Sequence, residues 1–164
     1  METKTASRRT EGLLTLFDMQ TTFFTRAIEG ISEKDTYNRL NTEANHIAWL
    51  TGSLVHQRYL MATEANPQLK QHGEELFKDN KGIQADTTYP TSAEFLKDWE
   101  TISPVARQVL MDVTDEKLDS EIDMGFMKMT YYEMLSFTIY REASIIGQLA
   151  LWRRLLGYPA LRYD

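Results

Sequence analysis

Residues 130–159 read TYYEMLSFTIYREASIIGQLALWRRLLGYP, and this stretch carries the signals for both ends of one long helix. Thr130 and Glu133 have the spacing of a capping box, in which side chains and backbone hydrogen-bond reciprocally at a helix start. Gly157, with Pro159 two residues later, is typical of a helix end, because glycine adopts the left-handed conformation and proline cannot continue the helix. The stretch between these signals predicts a helix of about seven turns.

Three earlier segments also place apolar residues at the spacing of an α-helix. The first covers residues 13–28 and ends at Gly30. The second covers residues 42–66, with Thr42 as its predicted N-cap. The third covers residues 90–113 and begins with another capping-box sequence. Almost nothing alternates with the period of a β-strand, so the sequence predicts an all-α fold, a four-helix bundle in a single domain over residues 1–164.

Two features leave the path of the chain open. Pro104 lies inside the third segment, where it predicts one kinked helix or, alternatively, a break capped by Ser103. The stretch of residues 66–90 is too long for a tight turn between antiparallel neighbours. It predicts a long crossover connection between helices two and three that carries a short helix near residues 74–78.

The composition excludes several classes of function. The formal net charge is -6 and no basic stripe is present, so the surface repels a phosphate backbone and nucleic acid is not an expected partner. No apolar run approaches the ~18 residues that a membrane span needs. The absence of cysteine excludes disulfides and zinc–thiolate clusters. No apolar stretch precedes Leu13, so a secretory signal is not expected and we expect a cytoplasmic location.

Metal ligands that project from facing helices are the usual source of chemistry in such a bundle, which makes histidines and acids the candidates. His46 and His56 both lie on predicted helix two, but their separation corresponds to ~15 Å of rise, too far for one ion. Glu43 and His46 have the spacing of half a di-iron carboxylate site, and the second half is missing. Glu142 falls in the apolar row of helix four, so we expect it to be buried, as a structural acid or with a functional role.

Three short stretches carry a resemblance to a known family. They are HIAW at residues 46–49, YREASIIGQ at residues 140–148 and RRLLGYP at residues 153–159. In these stretches, and in its arrangement of helix lengths, the chain resembles the DinB-like superfamily of small helical proteins. The resemblance implies an up-down-down-up four-helix bundle that is frequently a homodimer.

The resemblance also implies a divalent metal site, which this sequence lacks in part. Members of the superfamily hold the metal with one histidine on helix two and two on helix four, and include thiol-dependent transferases and proteins assigned as metal-dependent hydrolases. The helix-two ligand falls on His46, but the helix-four positions fall on Arg141 and Ile145. Arginine is permanently cationic and isoleucine has no donor atom, so one of three imidazoles remains.

We expect a pocket at the position of the superfamily's metal site. The charge of Arg141 should determine which ligands this pocket can bind. An inward guanidinium either pairs with Glu142 or Glu43, which we favour, or binds an anionic ligand through a bidentate contact. The residues that the resemblance assigns to the pocket are His46, Trp49, Arg141, Glu142, Ile145 and Gln148.

Two hypotheses about function follow. The first is a metal-free DinB-like protein that binds a small, anionic molecule or serves as a dimeric interaction module. The second is an enzyme, a hydrolase or thiol S-transferase, that holds a divalent metal such as zinc or nickel weakly with His46 and Glu43 or Glu142, since carboxylates can replace imidazole ligands.

Overall fold

The computed structural model describes residues 5–63 and 65–164, and this part of the chain is mostly helical, as predicted. Residues 1–4 and 64 lie outside the description. The α-helices are α1 (Glu11–Ile28), α2 (Glu33–Thr36), α3 (Ile47–Ala62), α4 (Ser92–Asp112), α5 (Asp115–Asp119) and α6 (Tyr131–Leu155). Short 3-10 helices cover Arg8–Thr10, Glu74–Leu76 and Lys78–Asn80.

The four long helices pack side by side around one apolar core. Helix α3 contacts α4 and α6, and α1 contacts the same two helices from the other side. The core is formed by large aliphatic and aromatic side chains from all four, among them Phe17, Phe24, Leu54, Trp99, Ile102, Leu110, Leu135 and Leu149. None of the helices in the described residues is long and apolar enough to cross a membrane.

The helix boundaries with strong capping signals are confirmed. In α4 the Thr91 hydroxyl accepts from the Glu94 amide while the Glu94 carboxylate accepts from the Thr91 amide, and α6 begins with the same reciprocal pair at Thr130 and Glu133. Gly157 follows α6 with φ of 86°, a left-handed conformation that costs glycine little.

The predicted start of the second long helix is wrong. Helix α3 begins at Ile47, with His46 and not Thr42 as its N-cap. The Thr42 hydroxyl instead donates to the carbonyl of Arg39, at 2.8 Å, and so belongs to the preceding turn. Leu40 and Asn41 in that turn have φ of 48° and 59°, left-handed values that interrupt a helix.

Helix α4 runs through Pro104 without a break, so the alternative of a helix that ends at a Ser103 cap is wrong. The Ser103 hydroxyl donates to the carbonyl of Trp99, one turn earlier in the same helix. This bond to the carbonyl four residues earlier is typical of a serine inside a helix.

The connection between α3 and α4 is a long crossover, and its helical content is the 3-10 type at residues 74–76 and 78–80. Phe77, between these turns, is buried against α3 at Gly52, where an added Cβ would lie 2.1 Å from the Phe77 ring. Glycine at position 52 therefore lets the crossover pack directly on α3.

A small β-hairpin before α6 was not predicted. Strands β1 (Glu121–Asp123) and β2 (Lys128–Thr130) pair antiparallel, and Gly125 in the connecting loop has φ of 82°. Strands of three residues are too short for an alternating pattern to be recognised in the sequence. The hairpin brings Met124 to the edge of the cavity described next.

Candidate ligand-binding site

A cavity of about 340 Å³ lies between α3, α6, the crossover and the hairpin loop. One part of its wall is apolar and consists of Leu60, Met61, Phe77, Met124, Met134 and Phe137. Polar side chains from α3 and α6 form another part, among them Ser53, His56, Gln57, Thr138 and Arg141. A concave site with apolar walls and a few converging polar groups is typical of small-molecule binding.

Two cationic residues, Arg141 and Lys81, line this cavity. The Lys81 Nζ donates to the carbonyl of Glu75 at 2.9 Å, whereas neutral side chains hold Arg141 in place. Its Nη2 donates to the Ser53 hydroxyl at 2.7 Å, and its Nη1 donates to the side-chain oxygen of Gln57. Gln57 is itself fixed, because its amide donates to the carbonyl of Thr138 at 2.7 Å. Burial lowers the pKa of Arg141, partly offset by Glu142.

The internal salt bridge that we favoured for Arg141 does not form. Within residues 5–63 and 65–164, no carboxylate lies within ion-pairing distance of the Arg141 guanidinium. Glu43 is exposed at the surface, 3.7 Å from Arg39. Glu142 follows Arg141 by one residue, about 100° further around the helix, and faces the core instead.

Glu142 pairs with Arg58 of α3, and both side chains are completely buried. The two carboxylate oxygens accept from Nε and Nη2 of Arg58, each at 2.8 Å. The remaining N–H groups donate to Thr21 and Ser103 hydroxyls at 2.7 and 2.8 Å and, more weakly, to the Phe17 carbonyl at 3.4 Å. Burial lowers the pKa of Arg58, whereas the hydrogen bonds and charge of Glu142 raise it.

Aromatic rings enclose this guanidinium on both faces. The Arg58 carbon Cζ lies 3.7 Å from the ring centre of Phe17 and 3.5 Å from that of Trp99. Such contacts are favourable for a cation that has left water. The pair is therefore a saturated structural element with no donor left for a ligand.

His46 serves a structural role at the start of α3. Its Nδ1 accepts from the Trp49 amide at 3.0 Å, so a neutral ring carries its proton on Nε2. The ring lies 5.2 Å from those of Tyr37 and Tyr89. Burial, together with Arg39, lowers the pKa of His46.

The structure brings together some of the six predicted pocket residues. Trp49 and Arg141 line the same cavity, whereas His46 lines a different one with Tyr37 and Arg39. Ile145 is buried, and Gln148 is exposed on α6. Across the described residues, no three His, Asp or Glu side chains are placed to hold a metal ion.

Sequence reasoning identified Trp49 on the α3 side of the cavity but missed Ser53, His56 and Gln57 as lining residues. Ser53, His56 and Gln57 have the spacing of residues on one helix face, and this polar row was available as a signal. Arg58 was missed as well, although it lies four residues after Leu54 and four before Ala62, both of which are buried. Apolar periodicity identifies the core positions of this helix, but it does not indicate which of the polar residues between them are buried.

Comparison of the chain with models of protein families and with curated proteins gave no match.

The Arg58–Glu142 pair makes a prediction about stability. Glu142→Gln keeps the shape but removes the charge, which leaves Arg58 buried without its counterion, and loss of one partner of a buried pair costs about 3–5 kcal/mol. We expect a loss of that size in the free energy of unfolding from urea denaturation. Glu121→Gln, which breaks an exposed pair with Lys128, is the control and should cost less than ~1 kcal/mol. Equal losses in the two variants would contradict the structural role.

The His46 cap predicts a pH dependence of stability. Because the folded pKa lies below the unfolded value, the cap stabilises the protein fully above pH ~6.5 and loses this effect as the pH falls toward the folded pKa. His46→Asn supplies a capping oxygen that does not titrate in this range. Urea unfolding from pH 8 to 5 should show the wild type losing more stability than the variant below pH ~6.5, and parallel curves would refute the assignment. The comparison cancels the contribution of His56, whose pKa is also lowered by burial.

Proposed function

We propose that this protein is a DinB-like four-helix bundle that binds a small organic anion in the Arg141 cavity and does so without a metal ion. The observation that carries the proposal is the state of Arg141. It lines the cavity, it is held by the neutral side chains of Ser53 and Gln57, and it has no carboxylate partner in the described chain.

Electrostatics favours an anionic ligand at this position. A cation that is partly withdrawn from water is costly unless an opposite charge compensates it. Ser53 and Gln57 orient the guanidinium but contribute no negative charge. A carboxylate or similar anion can accept two parallel N–H bonds from the remaining donors of the fork.

The rest of the cavity favours a small organic molecule over an inorganic anion. A volume of about 340 Å³ is near the lower end of the range for ligand pockets. Its apolar wall, which includes Leu60, Met134 and Phe137, matches the hydrocarbon part of such a molecule. Apolar burial would add to the electrostatic contribution of Arg141.

Pairwise contacts support the up-down-down-up order of the bundle. Along α3 and α6, Ser53 meets Arg141 whereas Gln57 meets Thr138, so these helices run antiparallel. Helices α3 and α4 run parallel, since Gly52 lies by Phe95 and Arg58 by Ser103. The crossover between α3 and α4 is the connection that a parallel pair requires.

Hydrogen bonds of α1 agree with this order. The Gln20 amide donates to the Ile139 carbonyl, and Arg153 near the end of α6 donates to the Ala27 carbonyl, so α1 and α6 run parallel. Asp18 pairs with Arg107, whereas Thr21 accepts from Trp99, so α1 and α4 run antiparallel.

We also propose that the protein forms a homodimer through the outer face of α6. Four apolar side chains on this helix are more than half exposed, and they fall within ~60° of one another around the helix axis. They are Phe137, Tyr140, Leu151 and Leu155. They form two pairs along one face, with the exposed Ser144 and Gln148 between them. Exposed apolar side chains grouped on one face are typical of protein–protein contacts.

The anion-binding proposal predicts the effect of removing one charge. Arg141→Met keeps much of the side-chain volume but removes the guanidinium, and the loss of charge-assisted hydrogen bonds should weaken binding of 3-phenylpropanoate about 10- to 100-fold. Isothermal titration calorimetry measures both affinities. Arg154→Met, which removes an exposed arginine of α6 outside the cavity, should bind as the wild type does.

The neutral alcohol 3-phenylpropanol supplies the second control. It should bind at least tenfold more weakly than the carboxylate, because it lacks the charge that Arg141 is expected to neutralise. Equal affinity for alcohol and acid, or an unchanged affinity in Arg141→Met, would overturn the proposal.

The dimer proposal predicts that charge on the outer face of α6 separates the subunits. In Leu151→Glu with Leu155→Glu, like charges would meet across the interface, and we expect a monomer by sedimentation equilibrium where the wild type is a dimer. Leu16→Glu, at an exposed position of α1, should leave the dimer intact. A monomeric wild type would rule out this interface.

A further inference from the structure

A second polar group in the Arg141 cavity is His56 of α3, which is largely buried. Its Nδ1 lies 2.9 Å from the side-chain oxygen of Gln71 in the crossover. The amide nitrogen of Gln71 donates to the carbonyl of Gly52, at 3.4 Å. Gln71 therefore presents its oxygen to the imidazole, and the Nδ1 of a neutral His56 must carry the proton.

The other ring nitrogen is then a free acceptor. Nε2 has no hydrogen-bond partner in the described chain, and it is not fully enclosed by protein atoms. Since His56 lines the cavity and is otherwise buried, the accessible part of the ring is the part that a bound ligand would meet.

Burial, together with nearby cationic groups, keeps His56 neutral near pH 7. Burial is the main cause that lowers its pKa, and Arg141 of α6 and Lys78 of the crossover act in the same direction. The hydrogen bond that Nδ1 donates to the Gln71 oxygen and the carboxylate of Glu74 oppose this change. The cavity thus combines a fixed cation with a neutral base.

Ser53, which accepts from Arg141 of α6, and His56 lie on the same face of α3 and line the same cavity. Ser53 precedes His56 by three residues, a spacing that places their Cβ atoms ~5–6 Å apart on a helix. A ligand that satisfies both groups carries an acceptor for Arg141 and a hydrogen-bond donor for Nε2 of His56. A bare anion satisfies Arg141 alone and leaves Nε2 without a donor.

We propose that the ligand is a hydroxy carboxylate with an apolar substituent: Arg141 binds the carboxylate, and the hydroxyl at the second or third carbon donates to Nε2 of His56. This inference rests on the proposed function, because it assigns the ligand class of the same cavity. It adds a specificity-determining residue, His56, and a positioning residue, Gln71.

The test compares two acids that differ by one hydroxyl. By calorimetry at pH 7.5, the wild type should bind 3-phenyllactate about five- to tenfold more tightly than 3-phenylpropanoate, the range that one added hydrogen bond gives. His56→Phe keeps an aromatic ring but has no acceptor, so it should bind both acids with similar affinity. His72→Gln, which changes a histidine outside the cavity, should keep the preference.

The outcomes distinguish the role of His56 from the proposed anion-binding function on which it rests. If both acids bind the wild type equally and Arg141→Met weakens both, the anion site stands and the role of His56 is wrong. If neither acid binds, the proposed function fails as well. If His56→Phe does not fold, the imidazole ¹⁵N shift of the wild type decides: it should show Nε2 staying unprotonated in the 3-phenyllactate complex, and protonation there would overturn the proposal.

Discussion

The buried guanidinium of Arg58 is the point at which all four long helices meet. It comes from α3 and binds Glu142 of α6, the Thr21 hydroxyl of α1 and the Ser103 hydroxyl of α4. A buried ion pair gains little over apolar packing, but it tolerates few other arrangements, because any shift leaves a charge without its partner. Its main contribution is therefore to specify how the helices are rotated and aligned.

This constraint also creates the candidate site. Glu142 must face the core to reach Arg58, and adjacent residues of a helix differ by about 100° in direction. Arg141 is thereby turned toward the gap between α3 and α6, where Ser53 and Gln57 meet it. The orientation of Arg141 is a consequence of the core pair one residue away.

The features that could be predicted from the sequence are those that depend on residues close together along the chain. The capping boxes at Thr91 and Thr130 act within four residues, so the sequence alone locates those helix starts. Burial of Glu142 followed from its place in an apolar row, but its partner did not, because Arg58 is 84 positions away along the chain. The left-handed turn at Leu40 was missed because nothing in that residue type favours such a conformation.

The two inward arginines show why the same side chain has different consequences at two places in one fold. Arg58 has a carboxylate, further hydrogen-bond acceptors and two aromatic faces, so its charge is fully compensated within the fold. Arg141 has neutral oxygens as partners and adjoins a cavity, and no carboxylate of the described residues pairs with it. Under the proposed function, a bound anion compensates its charge. Under the proposed DinB-like relationship, Arg141 places a fixed positive charge where relatives carry a metal ligand. The positive charge of Arg141 would then bind an anion directly. A metal ion, by contrast, would require deprotonated protein ligands at this position.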